Sequence, residues 1–133
     1  SRSSCRTAAV RAPPAIHNQP DVVKVVAADD GRALYFSRAA IPYLREAADA
    51  PALARHVWQH VGLYAYERAA LQRWVSLPPH PLEVIERLEQ LRPLAAGLAI
   101  GVALLDEPQR GGIDTDEDLA RANADWNAFE GRT

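Results

Sequence analysis

Four places in this 133-residue sequence put chemically capable side chains at spacings that could act together. The stretch His60-Val61-Gly62-Leu63-Tyr64 alternates as a strand does, so His60, Gly62, Tyr64 and Tyr66 share one face. A glycine between a histidine and a tyrosine leaves room, and imidazole and phenol could both hydrogen-bond a polyhydroxylated acid. The same pair could equally fill space beside a sheet. Glu89 comes second. On a helical wheel it falls between Leu82 and Ile85, with Glu86 and Gln90 just beyond, so a carboxylate sits at the edge of the apolar stripe. Its plain alternative is an ion pair with Arg87 or Arg92. Third, Asp114 follows Gly111-Gly112 and precedes a helix start. An oxygen ligand leaving a strand end there suits Mg²⁺, and with Asp116, Glu117 and Asp118 it suits a helix dipole as well. Fourth, Arg38 ends the run YFSR, where it could clamp a carboxylate with two parallel hydrogen bonds or simply be solvated.

The elements that must hold these residues can be outlined. DVVKVVAADDGRALYFSR reads as a β-hairpin, with strands over Val22 to Val26 and Ala33 to Phe36 about an Asp30-Gly31 turn. Pro42 and Pro51 interrupt the next stretch, in which Ala47 to Arg55 is read as a short helix. HVGLYAYERAALQRWV starts as a strand and continues at helical spacing over Glu67 to Val75. The clearest helix begins at Pro81, carries the stripe Leu82, Ile85, Leu88 and Leu91, and is limited by Pro93. LAIGVALLDEP is a continuous apolar run and reads as a buried strand. Thr115 with Asp118 makes a capping-box-like start to a final helix. The order predicts a mixed α/β architecture.

Composition narrows the class. The hydrophobic fraction is 48% and the formal net charge −2, so no global field draws the chain to nucleic acid or anionic lipid. No stretch approaches the roughly 20 apolar residues of a membrane span. The single cysteine, Cys5, excludes an intrachain disulfide and suits a reducing cytoplasm. The opening SRSSCRTAAVRAPP, rich in Ser and Arg and lacking acidic residues, resembles a transit peptide in composition only. Residues 1–19 are therefore expected to be a divergent, poorly ordered lead, with the functional part over 20–133. No HExxH, nucleophile elbow, P-loop or GxGxxG is present.

Taken together, DVVKVVAADDGRALYFSRAAIPY, HVGLYAYERAALQRWV, PPHPLEVIERLEQLR and GGIDTDEDLARA resemble the 3-deoxy-manno-octulosonate (Kdo) cytidylyltransferases, or CMP-Kdo synthetases, in both wording and order. The resemblance covers most of the chain from Asp21 to about Ala122. It implies the carboxyl-terminal part of a Rossmann-like nucleotidyltransferase fold, with a β-hairpin region through which members form homodimers. It also implies a cytoplasmic enzyme that joins CTP to Kdo with Mg²⁺, releasing pyrophosphate and supplying CMP-Kdo for lipopolysaccharide. Carried over by motif, His60, Tyr64, Glu89 and Gln90 would contact Kdo, Arg38 would help with its carboxylate, and Asp114 would be a metal ligand. No nucleic-acid or membrane partner is implied.

Three departures accompany the resemblance. The amino-terminal half that binds CTP, with the other metal-binding aspartate, lies outside these residues, so the chain alone is expected to be incomplete and inactive. Gln59 stands where a basic residue is expected. The segment before Gln19 and the Tyr43 to Arg55 connection do not read like the family. A truncated paralogue that dimerises or binds sugar acids without turnover is the alternative reading.

Overall fold

The computed structural model describes residues 5–106. Asp114, the Gly111-Gly112 loop and the helix start at Thr115 lie outside the described residues. Strands β1 (Cys5–Arg11), β2 (Lys24–Ala27), β3 (Ala33–Ser37), β4 (Trp58–Tyr66) and β5 (Ile100–Leu105) form one sheet in the order β3-β2-β4-β1-β5. The β1–β5 pair is parallel and the remaining pairs are antiparallel. Helices α1 (Ala50–Ala54), α2 (Arg68–Ser76), α3 (Pro81–Glu86) and α4 (Leu91–Ala95) complete a mixed α/β architecture. Among the described residues no helix is long and apolar enough to cross a membrane.

The first correction concerns the expected lead. Residues 5–11 are not a loose end; they form β1, held between β4 and β5 with Cys5 and Ala9 fully buried. Composition misleads here because a strand enclosed on both edges and both faces needs small apolar residues, not an alternating pattern. Cys5, Thr7 and Ala9 face the helices, while Ala8 and Val10 join Ala103, Leu105 and Val61 in a second cluster on the other face.

The hairpin forms as expected, with Gly31 at φ 87° in its turn and Asp30 Oδ1 accepting from the Arg32 amide. Lys24 on β2 is fully buried, and its ammonium donates to the carbonyls of Gln19, Val22 and Arg38 at 2.6–2.7 Å. That cage ties the entry to β2 against the exit of β3.

The second correction concerns the Leu82 helix. It begins as expected, with Pro81 in the first turn, His80 Nδ1 accepting from the Leu82 amide and Glu83 Oε1 accepting from the His80 amide. It does not run through to Leu91. Arg87 turns left-handed at φ 56°, and α4 starts afresh at Leu91. The Leu82–Ile85–Leu88–Leu91 stripe is thereby divided: Leu88 and Leu91 enter the core, while Ile85 is 76% exposed. Pro93 lies inside α4, which ends where Gly97 takes φ 90° and the amides of Gly97 and Leu98 reach back to the carbonyls of Leu94 and Pro93. This is the hydrogen-bond pattern of a Schellman motif.

Candidate functional site

The helix-facing side of the sheet packs Phe36, Val25, Ile100 and Val102 against Trp74 of α2, Leu91 of α4 and Leu88 just before it. His60 and Tyr64 project from β4 at the border of this core. A register shift places them there: Thr7 pairs with Tyr64 while its neighbour Ala8 pairs with Val61, so Gly62 and Leu63 bulge out of the ladder. Two extra residues preserve the side-chain alternation, which keeps His60 and Tyr64 on one face. Their rings lie 5.6 Å apart.

His60 packs edge-on against Phe36, with ring centroids 4.9 Å apart, and its Nε2 lies 3.0 Å from Thr7 Oγ1. Burial penalises the imidazolium and pushes its pKa down to about 4, so the ring is neutral near pH 7. Tyr64 meets Trp74 edge-on at 5.4 Å and stacks with Tyr66 at 5.8 Å; Tyr66 in turn meets Trp74 at 5.5 Å. Burial is the main reason the Tyr64 hydroxyl is harder to ionise, followed by Tyr66, Cys5 and the Glu89 carboxylate. It stays a hydrogen-bond donor across the physiological range. The Glu89 charge also raises the Tyr66 pKa, after burial and Cys5.

The break between α3 and α4 presents Glu89 to these phenols. Glu89 is exposed, and the ion pair with Arg92 offered as its plain explanation goes to another residue. Glu83 takes the Arg92 guanidinium with two bonds, 2.8 and 2.6 Å. Gln90, only 7% exposed, follows immediately. His60 and Tyr64 therefore border one aromatic-walled patch, a neutral imidazole beside a phenol donor, with the Glu89 carboxylate near enough to act electrostatically on Tyr64 and Tyr66 and with Gln90 next to it in the chain. Such a set can read the hydroxyls of a sugar.

Arg38 is not gathered with them. Its guanidinium donates to the carbonyls of Glu86 (2.9 Å), Pro20 (3.2 Å) and Arg87 (3.4 Å), and its amide donates to Glu86 Oε1. It caps the carboxyl end of α3 rather than offering an open fork. Gly62 is a neighbour of the site but not what makes it roomy, since an added Cβ there would meet nothing within 4 Å. Among the described residues no group of three His, Cys, Asp or Glu side chains is placed to hold a metal. A cavity of about 430 Å³ near the hairpin turn, lined by Asp29, Arg55, His56 and Trp58 among others, includes none of Arg38, His60, Tyr64, Glu89 and Gln90.

Sequence reasoning put Tyr66 on the face of His60 and Tyr64 but missed Thr7 and the Trp74 that completes the wall. Ala70 and Trp74, four apart and both buried on α2, carried a helical-spacing signal that could have found the wall. Thr7 carried none, because its part is set by pairing with a strand more than fifty residues away.

The family model of the cytidylyltransferases matches residues 7–100. The chain belongs to the cytidylyltransferase family. The match begins inside the stretch before Gln19, which read as unlike the family, and so corrects that departure. Among members of the family, the 3-deoxy-manno-octulosonate cytidylyltransferase of Gemmatimonas aurantiaca is 68% identical over 111 residues, covering 84% of this chain and 43% of the relative. The protein of the same name from Acidobacterium capsulatum is 56% identical over 101 residues, covering 75% and 39%. Among solved structures, CMP:2-keto-3-deoxy-manno-octonic acid synthetase complexed with CTP superposes with a TM-score of 0.71 at 37% identity, covering 92% of this chain and 48% of that one. This cytidylyltransferase chain thus spans less than half the length of the relatives it matches.

Proposed function

We propose that this chain supplies the sugar-acid-binding portion of a CMP-Kdo synthetase, the enzyme that transfers CMP from CTP to Kdo with release of pyrophosphate. In this reading a sugar hydroxyl attacks the α-phosphorus of CTP. His60, Tyr64, Glu89 and Gln90 hold and orient the sugar through its hydroxyls, and the CTP site comes from residues outside this chain. The observation that carries the reading is the pairing of His60 and Tyr64 beside one aromatic wall, with the Glu89 charge felt at Tyr64, in a chain 68% identical over its matched length to a 3-deoxy-manno-octulosonate cytidylyltransferase. The finer parts belong to the same proposal: Kdo as the sugar acid, a homodimer formed through the hairpin region, a cytoplasmic setting and a product destined for lipopolysaccharide. Mg²⁺ bound through Asp114 belongs to it too, with the ion supplying charge neutralisation on the phosphates. The chemistry of the described residues is the positioning of the acceptor, which can contribute much of a bimolecular rate enhancement.

The test is a fusion. The portion of the Gemmatimonas aurantiaca relative that precedes its match to this chain is joined to this chain, and pyrophosphate release is followed with CTP, Mg²⁺ and Kdo. Release that needs all three, and falls about a hundredfold or more in a His60→Ala variant, is the expected result. A folded fusion that binds CTP but releases no pyrophosphate with Kdo would refute the reading.

A further inference from the structure

The hydroxyl of Thr7 lies 2.7 Å from the Leu63 carbonyl oxygen, 3.1 Å from the Val61 carbonyl oxygen and 3.0 Å from His60 Nε2. A threonine hydroxyl has one hydrogen to give. Two oxygens 2.7 Å apart repel unless a proton stands between them, so that hydrogen is committed to Leu63. This is where the bulge matters, because Leu63 lies in the stretch that the β1–β4 pairing skips. Having donated to Leu63, Thr7 Oγ1 can only accept from the imidazole, so Nε2 carries the ring proton. Nδ1 is then a bare lone pair, open to accept a hydrogen bond.

We infer that Thr7 is a positioning residue that fixes His60 as the Nε2–H tautomer, so that Nδ1 accepts a hydrogen bond from a hydroxyl of the ligand and cannot pair with its carboxylate. The second half of this inference rests on the proposed sugar-acid site; the first half does not. A bare nitrogen lone pair repels a carboxylate oxygen and welcomes an O–H, so the acid group of the sugar is read elsewhere and His60 reads the polyol. The bulge thus contributes chemistry as well as shape, since the carbonyl it frees from the ladder decides which imidazole nitrogen carries the proton.

The full chain labelled with ¹⁵N at histidine tests this by long-range proton–nitrogen correlation. The expected spectrum has His60 Nε2 in the protonated range and Nδ1 in the bare range at pH 7. Thr7→Ser, which keeps the hydroxyl, retains that pattern, and Thr7→Val mixes or reverses it. A wild-type spectrum with Nδ1 protonated would overturn the inference without any variant, as would an unchanged pattern in a folded Thr7→Val chain. Kdo and pyruvate are then added separately at equal concentration. Movement of the Nδ1 signal with Kdo and not with pyruvate, together with Kdo binding weakened about tenfold in Thr7→Val, supports the hydroxyl assignment. Equal movement with pyruvate overturns it. If the tautomer is as stated and neither probe moves any resonance, the positioning stands and the sugar-acid site fails.

Discussion

His60 gives the residue scale its most direct consequence. Desolvation lowers its pKa in the folded chain to about 4, whereas in the unfolded chain it titrates near the ordinary 6.5. Above pH 6.5 both states hold a neutral ring and the shift costs nothing. As pH falls from 6.5 towards 4 the unfolded chain takes up a proton that the folded chain refuses. Stability attributable to this group is therefore lost across that window, by about 3 kcal/mol in all. Urea unfolding midpoints at intervals between pH 4 and 7 should fall accordingly, and His60→Gln should flatten that part of the profile. Equal slopes in both proteins would show that the ring is more hydrated than its packing against Phe36 indicates. Tyr64 and Cys5 point the same way: burial raises both, Cys5 to about 11, so the phenol and the thiol, like the imidazole, stay uncharged near neutral pH.

Between elements, the joint of α3 and α4 decides where Glu89 and Gln90 stand. Arg38 secures that joint from β3 through carbonyls of Glu86 and Arg87, while Glu83 and Arg92 close it from within. Removing the Arg38 side chain leaves the carboxyl end of α3 uncapped. Arg38→Ala is expected to cost about 1–2 kcal/mol in chemical unfolding and to weaken sugar-acid binding while leaving His60 in place. A variant of unchanged stability that loses binding outright would instead return Arg38 to the carboxylate role expected from sequence. Arg87 pays a left-handed conformation without being glycine, so Arg87→Gly should stabilise the chain by up to about 1 kcal/mol, visible as a higher urea midpoint. This joint also shows where sequence reasoning stopped. Leu82, Ile85, Leu88 and Leu91 keep helical spacing across the break, and the residue at the break is an arginine, which gives no sign of positive φ. The wheel put Glu89 between Leu82 and Ile85 for a continuous helix that does not exist; Glu89 lies past the end of α3, where its charge is felt by Tyr64 and Tyr66. The hairpin was legible because Asp30-Gly31 carries its own conformational signal.

For the molecule as a whole, the strand order makes β1 the keystone although it comes first in the chain. It joins the antiparallel β2–β4 side to the parallel β5, and it brings Thr7 to His60. Its small residues are a packing requirement: Ala9 is fully buried between His60 of β4 and Leu104 of β5 in the ladder. Ala9→Asp places an unpaired carboxylate in that space and should abolish cooperative unfolding followed by circular dichroism. A variant with a wild-type melt would mean that β1 is dispensable and that residues 1–19 are a lead after all. Nothing in the composition of SRSSCRTAAVR announces this role, because centrality in a sheet is a property of distant partners. The neighbourhood of His60 and Tyr64 was legible for a different reason: strand alternation alone puts them on one face, and the fold keeps them there while turning Arg38 to other work.

The most direct test of the central claim is a titration of the full ¹⁵N-labelled chain with Kdo, followed by amide NMR and repeated with Glu89→Ala. The expected result is a dispersed spectrum in which resonances of His60, Tyr64, Glu89 and Gln90 move together with one affinity, and a variant whose spectrum is equally dispersed but still. A dispersed wild-type spectrum that Kdo leaves unchanged would contradict the claim that these four residues form a sugar-acid site.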